Sequence, residues 1–451
     1  MNILLVAPSK ESDASRKVSG MIRFPQISLR YVAALTPPEH KVTLIEEEIQ
    51  TLDLGAECDL VAITCMTATA PRAYELADEF RRRGKKVVLG GVHPSVLPDE
   101  AAKHADAVVV GEAEPVWASV IDDTEKGKLK KFYRGGNDWN LDDYPLPCRE
   151  AGKSATILGV VPVVTSRGCP YNCEFCCVKN IFGRKIRHVS VDRVVEDITR
   201  SGSSQVMFLD DNIVGDQPYA MALFKALGDL KVKWGGQASI SFVRNEKLLD
   251  LAAKTGCRGL FVGLESVSER KMERMNKSMR NLRDTEDAIR RIQEHGILLH
   301  ASIVFGFDDE DPSIFDQTLE FLGRTKIPSA TFNILTPYPG TETYDSLKAE
   351  KRLLTEDWRF YDHCTPTFVP RMMSVDELYD GYWYVKKNFF SIPKIFSRLP
   401  ANWRNPMLFS IANIGLRLGL RQEKGLIKTR AADLKTVAAG SVRSPMPMPS
   451  P

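Results

Sequence analysis

Glycine and cysteine are scarce in this chain of 451 residues, at 30 and 9 respectively. That is too little glycine for a collagen-like repeat and too little cysteine for a disulfide scaffold. Long apolar runs are missing as well, since no stretch reaches the roughly 18 uninterrupted apolar residues of a spanning helix. Neither sign of charge dominates: 61 basic residues face 58 acidic ones, which leaves no global nucleic-acid signature. With 43% hydrophobic and 26% charged residues, the chain is not largely disordered. Its opening Met1-Asn2-Ile3-Leu4-Leu5-Val6 lacks a basic segment and a small-residue cleavage site, and reads as a buried strand, not a secretory signal. Length predicts two or three domains.

What is present is a double alternation of strands and helices. Over residues 1–125 the candidate strands are Ile3–Val6, Lys41–Ile45, Leu60–Thr64, Lys86–Leu89 and Ala107–Val110. Helical patterns such as Pro71–Arg83 lie between them. Strands apolar throughout suit a parallel sheet covered on both faces. A doubly wound, Rossmann-like α/β domain is therefore expected, with ligands at the carboxyl ends of its strands. Residues 126–155 read as a linker. A second series fills 156–345, with strands at Val160–Ser166, Gln205–Leu209, Val232–Ser239, Gly259–Leu264, Leu298–Phe305 and Thr331–Thr336. Six such units predict a partial (β/α)6 barrel of TIM type, with its chemistry at the carboxyl ends of the strands. Residues 346–440 read as a helical C-terminal region and 441–451 as a disordered tail.

Four of the nine cysteines crowd into nine residues directly after the first strand of the second series: Cys169, Cys173, Cys176 and Cys177. Without an export signal, such crowding favours a metal or cluster site over disulfides, and a cytoplasmic setting. Three thiolates spaced C-x3-C-x2-C can hold three irons of a 4Fe–4S cluster and leave the fourth iron open. Open metal positions bind and activate small molecules. Zinc, completed by Cys177 or His188, is the alternative, although Cys177 reads better as a small buried apolar residue.

Cys169, Cys173 and Cys176, with Phe175 before the third cysteine, resemble the radical S-adenosylmethionine signature. The resemblance implies that the open iron chelates the cofactor's amino and carboxylate groups. Reductive cleavage would then give a deoxyadenosyl radical that takes hydrogen from unreactive carbon. It further implies that Asp210 and Asp211, ending the second barrel strand, and Gln237, on the third, contact the cofactor. Glu265, ending the fourth, would bind its ribose. Each Asp has a plainer reading as a helix cap, and Trp234 reads as core.

The first domain is similar to the cobalamin-binding domain fused to such enzymes. The similar segments are Phe24-Pro25 before the first helix, Thr64-Cys65-Met66-Thr67 after the third strand, Gly90-Gly91-Val92-His93-Pro94 after the fourth, and Gly111-Glu112-Ala113-Glu114 after the fifth. By resemblance, Thr64, Met66, Thr67, Gly90, Gly91, His93, Gly111 and Glu112 are cofactor-binding candidates. The D-x-H-x-x-G motif that supplies a lower cobalt ligand is absent, which leaves that face to the loop near Met66 and Thr67. For His93, a structural or cofactor-tail role is favoured over cobalt ligation.

Between Lys386 and Arg430 stand ten Lys or Arg and a single acid, Glu423, interleaved with Phe, Trp, Ile and Leu. Such a stretch suits an anionic membrane surface, or a helical subdomain packed on the barrel with basic faces outward. Nucleic acid is not expected. The resulting expectation is a cobalamin-dependent radical enzyme that C-methylates an unactivated carbon of a lipid or other secondary metabolite. It would be supplied with electrons by a flavodoxin or ferredoxin, and be cytoplasmic or peripheral at the inner membrane face. Two rivals stand beside it: radical cyclisation, oxidation or carbon–carbon coupling with the same cofactors, and a non-catalytic iron–sulfur protein.

Overall fold

The computed structural model describes residues 1–9, 25–151, 159–268, 281–399, 406, 409–410 and 413–420. The tail at 441–451, residues 421–430 and Phe24 lie outside the described residues, and so do the expectations that fall on them.

Two six-stranded parallel sheets organise the chain. The first contains β1 (Asn2–Ala7), β2 (Lys41–Glu46), β3 (Leu60–Thr64), β4 (Lys86–Gly90), β5 (Ala107–Gly111) and β6 (Phe132–Gly135), in the order β2-β1-β3-β4-β5-β6. The strand order reverses between β1 and β3, which is where doubly wound sheets bind their ligands. Both faces are covered. Leu4, Val6, Val61 and Ile63 pack beneath the helix Ala70–Arg82, while Ile3, Leu5, Leu60 and Val88 pack with Leu29, Trp117 and Val120 on the other side. This two-sided burial is why the strands carry no polar alternation.

One boundary moves. Phe132–Gly135 falls in the stretch read as linker, yet it pairs in parallel with β5 and completes the sheet. Four residues on an edge, with only Tyr133 buried, carry too little periodicity to be read.

The second sheet runs β14-β13-β12-β11-β10-β7, all parallel. Its strands are β7 (Val161–Val163), β10 (Gln205–Phe208), β11 (Lys233–Ala238), β12 (Cys257–Glu265), β13 (Leu298–Phe305) and β14 (Ser329–Ile334). This is the partial barrel expected. Its helices carry the expected stops and starts. Asp216 and Asn281 cap the helices 217–230 and 282–294 by accepting from Tyr219 N and Asp284 N, and Gly202 ends the helix 191–201 in the left-handed region. Trp234 is 1% exposed and donates its indole N–H to Thr255 O, as befits core. A short antiparallel ribbon, β8 (Ser166–Arg167) with β9 (Arg187–His188), brackets the cysteine loop.

After the barrel the chain returns to the first domain. Tyr344, Trp358 and Tyr361 join the hydrophobic core of the first sheet. The helix Val375–Phe389 then packs on the helix Ile314–Thr325, so closely that a Cβ on Gly381 would stand 2.0 Å from the Phe315 ring. The C-terminal region is therefore a tie between domains as well as a helical appendage. Among the described residues, no helix is long and apolar enough to cross a membrane.

Candidate functional site

The cysteine loop starts where β8 ends. Gly168, with φ +95°, turns the chain into it, and a Cβ there would meet Lys185 O at 2.5 Å. Only glycine fits such a close pass. Loop anchors come from four directions. Cys169 N donates to Gly183 O, Tyr171 Oη lies 3.3 Å from Ser241 Oγ beyond β11, Thr343 N donates to Glu174 O from beyond β14, and the Phe175 ring meets Phe307 beyond β13. The loop thus lies across the carboxyl ends of the barrel strands, where barrel enzymes do their chemistry.

Burial pushes the Cys176 thiol up to about 12. A cation bound there reverses that preference, because a coordinating thiol gives up its proton. Among the described residues no three His, Cys, Asp or Glu side chains converge as ligands of a single ion. A four-iron cube asks something different, namely three thiolates each on its own iron. The zinc alternative also loses a ligand: His188 Nε2 is 3.0 Å from Asp216 and its ring stacks on Tyr219. Three soft donors on one anchored loop therefore fit the cluster.

Around the mouth stand Asp211, Gln237 and Glu265. Burial raises the Asp211 carboxyl above the usual range, and the nearby Gly168 backbone opposes that shift. Gln237 donates to the Asp211 carbonyl. Glu265 sits at a register shift between β12 and β13 with φ +66°, a backbone region that non-glycine residues seldom enter. Strain of this kind gathers at functional positions.

Asp210 is a correction. It is 2% exposed, and its carboxylate accepts from Thr165 N, Thr165 Oγ1 and Ser166 Oγ. Its carboxyl is pushed up to about 6 by burial. These bonds hold the turn ahead of the cysteine loop, and Asp210 caps no helix.

In the first domain the carboxyl edge of the sheet presents Thr64, Met66, Thr67, Gly90 and Gly91. Met66 is 58% exposed between buried Cys65 and Thr67, so the loop offers one apolar side chain to a ligand face. Gly91, at φ +99°, lets the β4 loop pass where a Cβ would stand 2.7 Å from Thr64 Oγ1, closer than a side chain permits. Such a smooth edge fits a broad planar ligand like a corrin.

Three further candidates fall elsewhere. His93 is fully buried, with Nδ1 3.3 Å from Thr67 Oγ1, Nε2 3.2 Å from Glu100, and Trp358 edge-on at 5.4 Å. Both ring nitrogens are engaged by protein groups, the structural role the sequence favoured. Gly111, at φ +82°, makes a close pass over Gly135 O. Glu112 is buried and paired with Arg167 at 3.0 Å and with Arg187. Glu114 also pairs with Arg167, which lies over the Trp139 ring. The Gly-Glu-x-Glu turn is therefore a clamp on the ribbon that carries the cysteine loop. With Val96 packed against Gly340, it brings the carboxyl edges of the two sheets face to face.

Glu310 went unread in the sequence. It accepts from Ser266 Oγ at 2.5 Å and from the N–H groups of Gly306 and Phe307, stapling the ends of β12 and β13 beside Glu265. Burial pushes its carboxyl up to about 7. Because folding favours the protonated form, its contribution is full below the unfolded carboxyl pKa and is lost as pH rises through about 7. Glu310→Gln keeps the acceptor and removes the titration. The stability of wild type relative to this variant should fall between pH 4.5 and 7.5, on the order of 3 kcal/mol in all. Urea midpoints across that range measure it, and a flat difference would show that the carboxyl is not stressed.

Residues 163–322 match the Radical SAM superfamily and residues 22–121 the B12 binding domain. The chain is 30% identical over 416 residues to the bacteriochlorophyllide d C-12(1)-methyltransferase of Chlorobaculum tepidum, covering 89% of this chain and 90% of that one. It is 26% identical over 352 residues to the hopanoid C-2 methylase of Rhodopseudomonas palustris, covering 74% and 66%. Among solved structures, the radical S-adenosylmethionine methyltransferase TsrM of Kitasatospora setae, with cobalamin and a 4Fe–4S cluster bound, superposes with a TM-score of 0.62. That match has 17% identity and covers 77% of this chain and 78% of that one, so it bears on the fold.

Proposed function

From the premise that the chain belongs to the family of cobalamin-binding radical S-adenosylmethionine methyltransferases, we propose that it methylates an unactivated carbon of a lipid or related secondary metabolite. It is an enzyme whose cofactors are a 4Fe–4S cluster, S-adenosylmethionine and cobalamin. When bound, these supply a radical able to take hydrogen from carbon and a methyl group to replace it.

The observation that carries the reading is the meeting of the two carboxyl edges, the cysteine loop on one and the Met66 turn on the other. Cys169, Cys173 and Cys176 hold the cluster. Asp211, Gln237 and Glu265 orient the adenosyl cofactor at the mouth, while Phe175 and Phe307 exclude water beside the loop. Thr64, Met66, Thr67, Gly90 and Gly91 would seat the corrin, with Met66 offering it an exposed apolar side chain. The choice of a lipid or tetrapyrrole-like substrate is supported by the names of the relatives, a hopanoid methylase and a bacteriochlorophyllide methyltransferase. A one-electron donor such as a flavodoxin or ferredoxin reduces the cluster.

The test is product mass under anaerobic turnover with candidate polycyclic lipids and chlorins. A gain of one methylene per product, with deoxyadenosine and S-adenosylhomocysteine formed alongside, is the expected result. Deoxyadenosine with an unmethylated product would replace this reading by cyclisation or oxidation.

A further inference from the structure

Two short C-terminal helices bury polar anchors and leave apolar side chains outside. In the helix Ile392–Arg398, the residue turned inward is the cation: Arg398 is 3% exposed, lies 3.7 Å from the Phe389 ring and donates to Phe389 O and Asn413 Oδ1. In the helical stretch 413–420, Leu416 and Leu420 pack against the barrel core and polar residues turn inward beside them. Asn413 is fully buried and donates to Pro328 O and Phe409 O, and Arg417 donates to Phe390 O. The outward residues are apolar at i, i+4 spacing, Ile392 with Phe396 and Ile414 with Leu418, each more than half exposed.

A helix at a water boundary buries its apolar stripe and exposes its charges. These two leave an apolar face outside as well, and the buried polar anchors fix that orientation, so rotation cannot hide it. The charge along this stretch of the chain has one sign. From Lys386 to Gln422 there are seven Lys or Arg and no Asp or Glu. Lys394 is exposed on the same turn as Phe396. A second copy of the chain would bring two basic faces together, which repels. An anionic bilayer supplies both an apolar interior for four side chains and negative headgroups for the cations.

We propose that the outward faces of residues 392–398 and 413–420 dock the enzyme on an anionic lipid surface. The docking is independent of the substrate reading, because vesicle binding is measured without turnover. The experiment is cosedimentation of the full chain with phosphatidylcholine vesicles, with and without phosphatidylglycerol, at low and high salt. Binding to the phosphatidylglycerol vesicles, weakened by salt, is expected. The double variant Phe396→Ser/Leu418→Ser should lose about tenfold or more in partitioning, with an unchanged thermal transition because both side chains are exposed. Failure of the full chain to bind, or equal binding by the variant, overturns the proposal. So does a concentration-dependent dimer that the same variant dissolves, which would make the face a contact between copies.

Discussion

Cys173→Ala should abolish both the visible absorption of the reconstituted cluster and the formation of deoxyadenosine. The middle cysteine cannot be replaced by its neighbours. On the proposed assignment Cys169 and Cys176 would serve other irons, and Cys177 opens the helix Val178–Ile181 with its carbonyl accepting from Asn180 N. Two thiolates leave a cube half held. The loop itself should survive, because its anchors at Gly183, Ser241, Thr343 and Phe307 do not involve the Cys173 side chain. Loss of cleavage with an intact unfolding transition is therefore the informative outcome. Cleavage at the wild-type rate would remove the cluster assignment.

Glu112→Ala should be the most damaging substitution outside the cysteine loop. It leaves Arg187 and Arg167, both well buried, short of a counter-charge. Removing one partner of a buried pair costs about 3–5 kcal/mol, because the remaining charge stays in a poor solvent for it. Glu114 keeps part of Arg167 satisfied, so Arg187 bears most of the loss. The earliest transition in urea should shift accordingly, and cluster loading should fall with it, since Arg167 adjoins the Gly168 turn. Arg82→Ala, which breaks a solvent-exposed pair with Glu79, serves as the control and should leave the midpoint unmoved. Equal midpoints for the two variants would show that the clamp contributes nothing.

Much of this architecture was readable from periodicity and spacing. All-apolar strands between helical patterns located eleven of the twelve parallel strands, and the spacing of Cys169, Cys173 and Cys176 located the mouth of the barrel. What escaped was long-range polar pairing. Glu112 and His93 sit in turns that resemble ligand loops, and nothing local tells a carboxylate aimed at a cofactor from one aimed at Arg187, 75 residues away. The bonds of Asp210 were illegible for the same reason: its partners Thr165 and Ser166 lie on a neighbouring strand end. Glu310 lacked even a motif, because its role is defined by two backbone N–H groups and a serine from another loop. The strand Phe132–Gly135 was too short to announce itself.

The return of Trp358 and Tyr361 to the first sheet bears on how such a protein could be cut or recombined. Two domains matched side by side along a sequence suggest modules that exchange freely, yet here the first is closed by residues more than two hundred positions downstream. Trp358 donates to Glu100, which also stands beside His93 and Tyr74. A fragment ending at the close of the barrel would strip a lid of aromatic side chains from the first domain and leave Glu100 without its indole partner. Grafting the first domain onto another partner would therefore require the closing segment to travel with it, so the smallest transferable piece is the entire wrap, not the visible half.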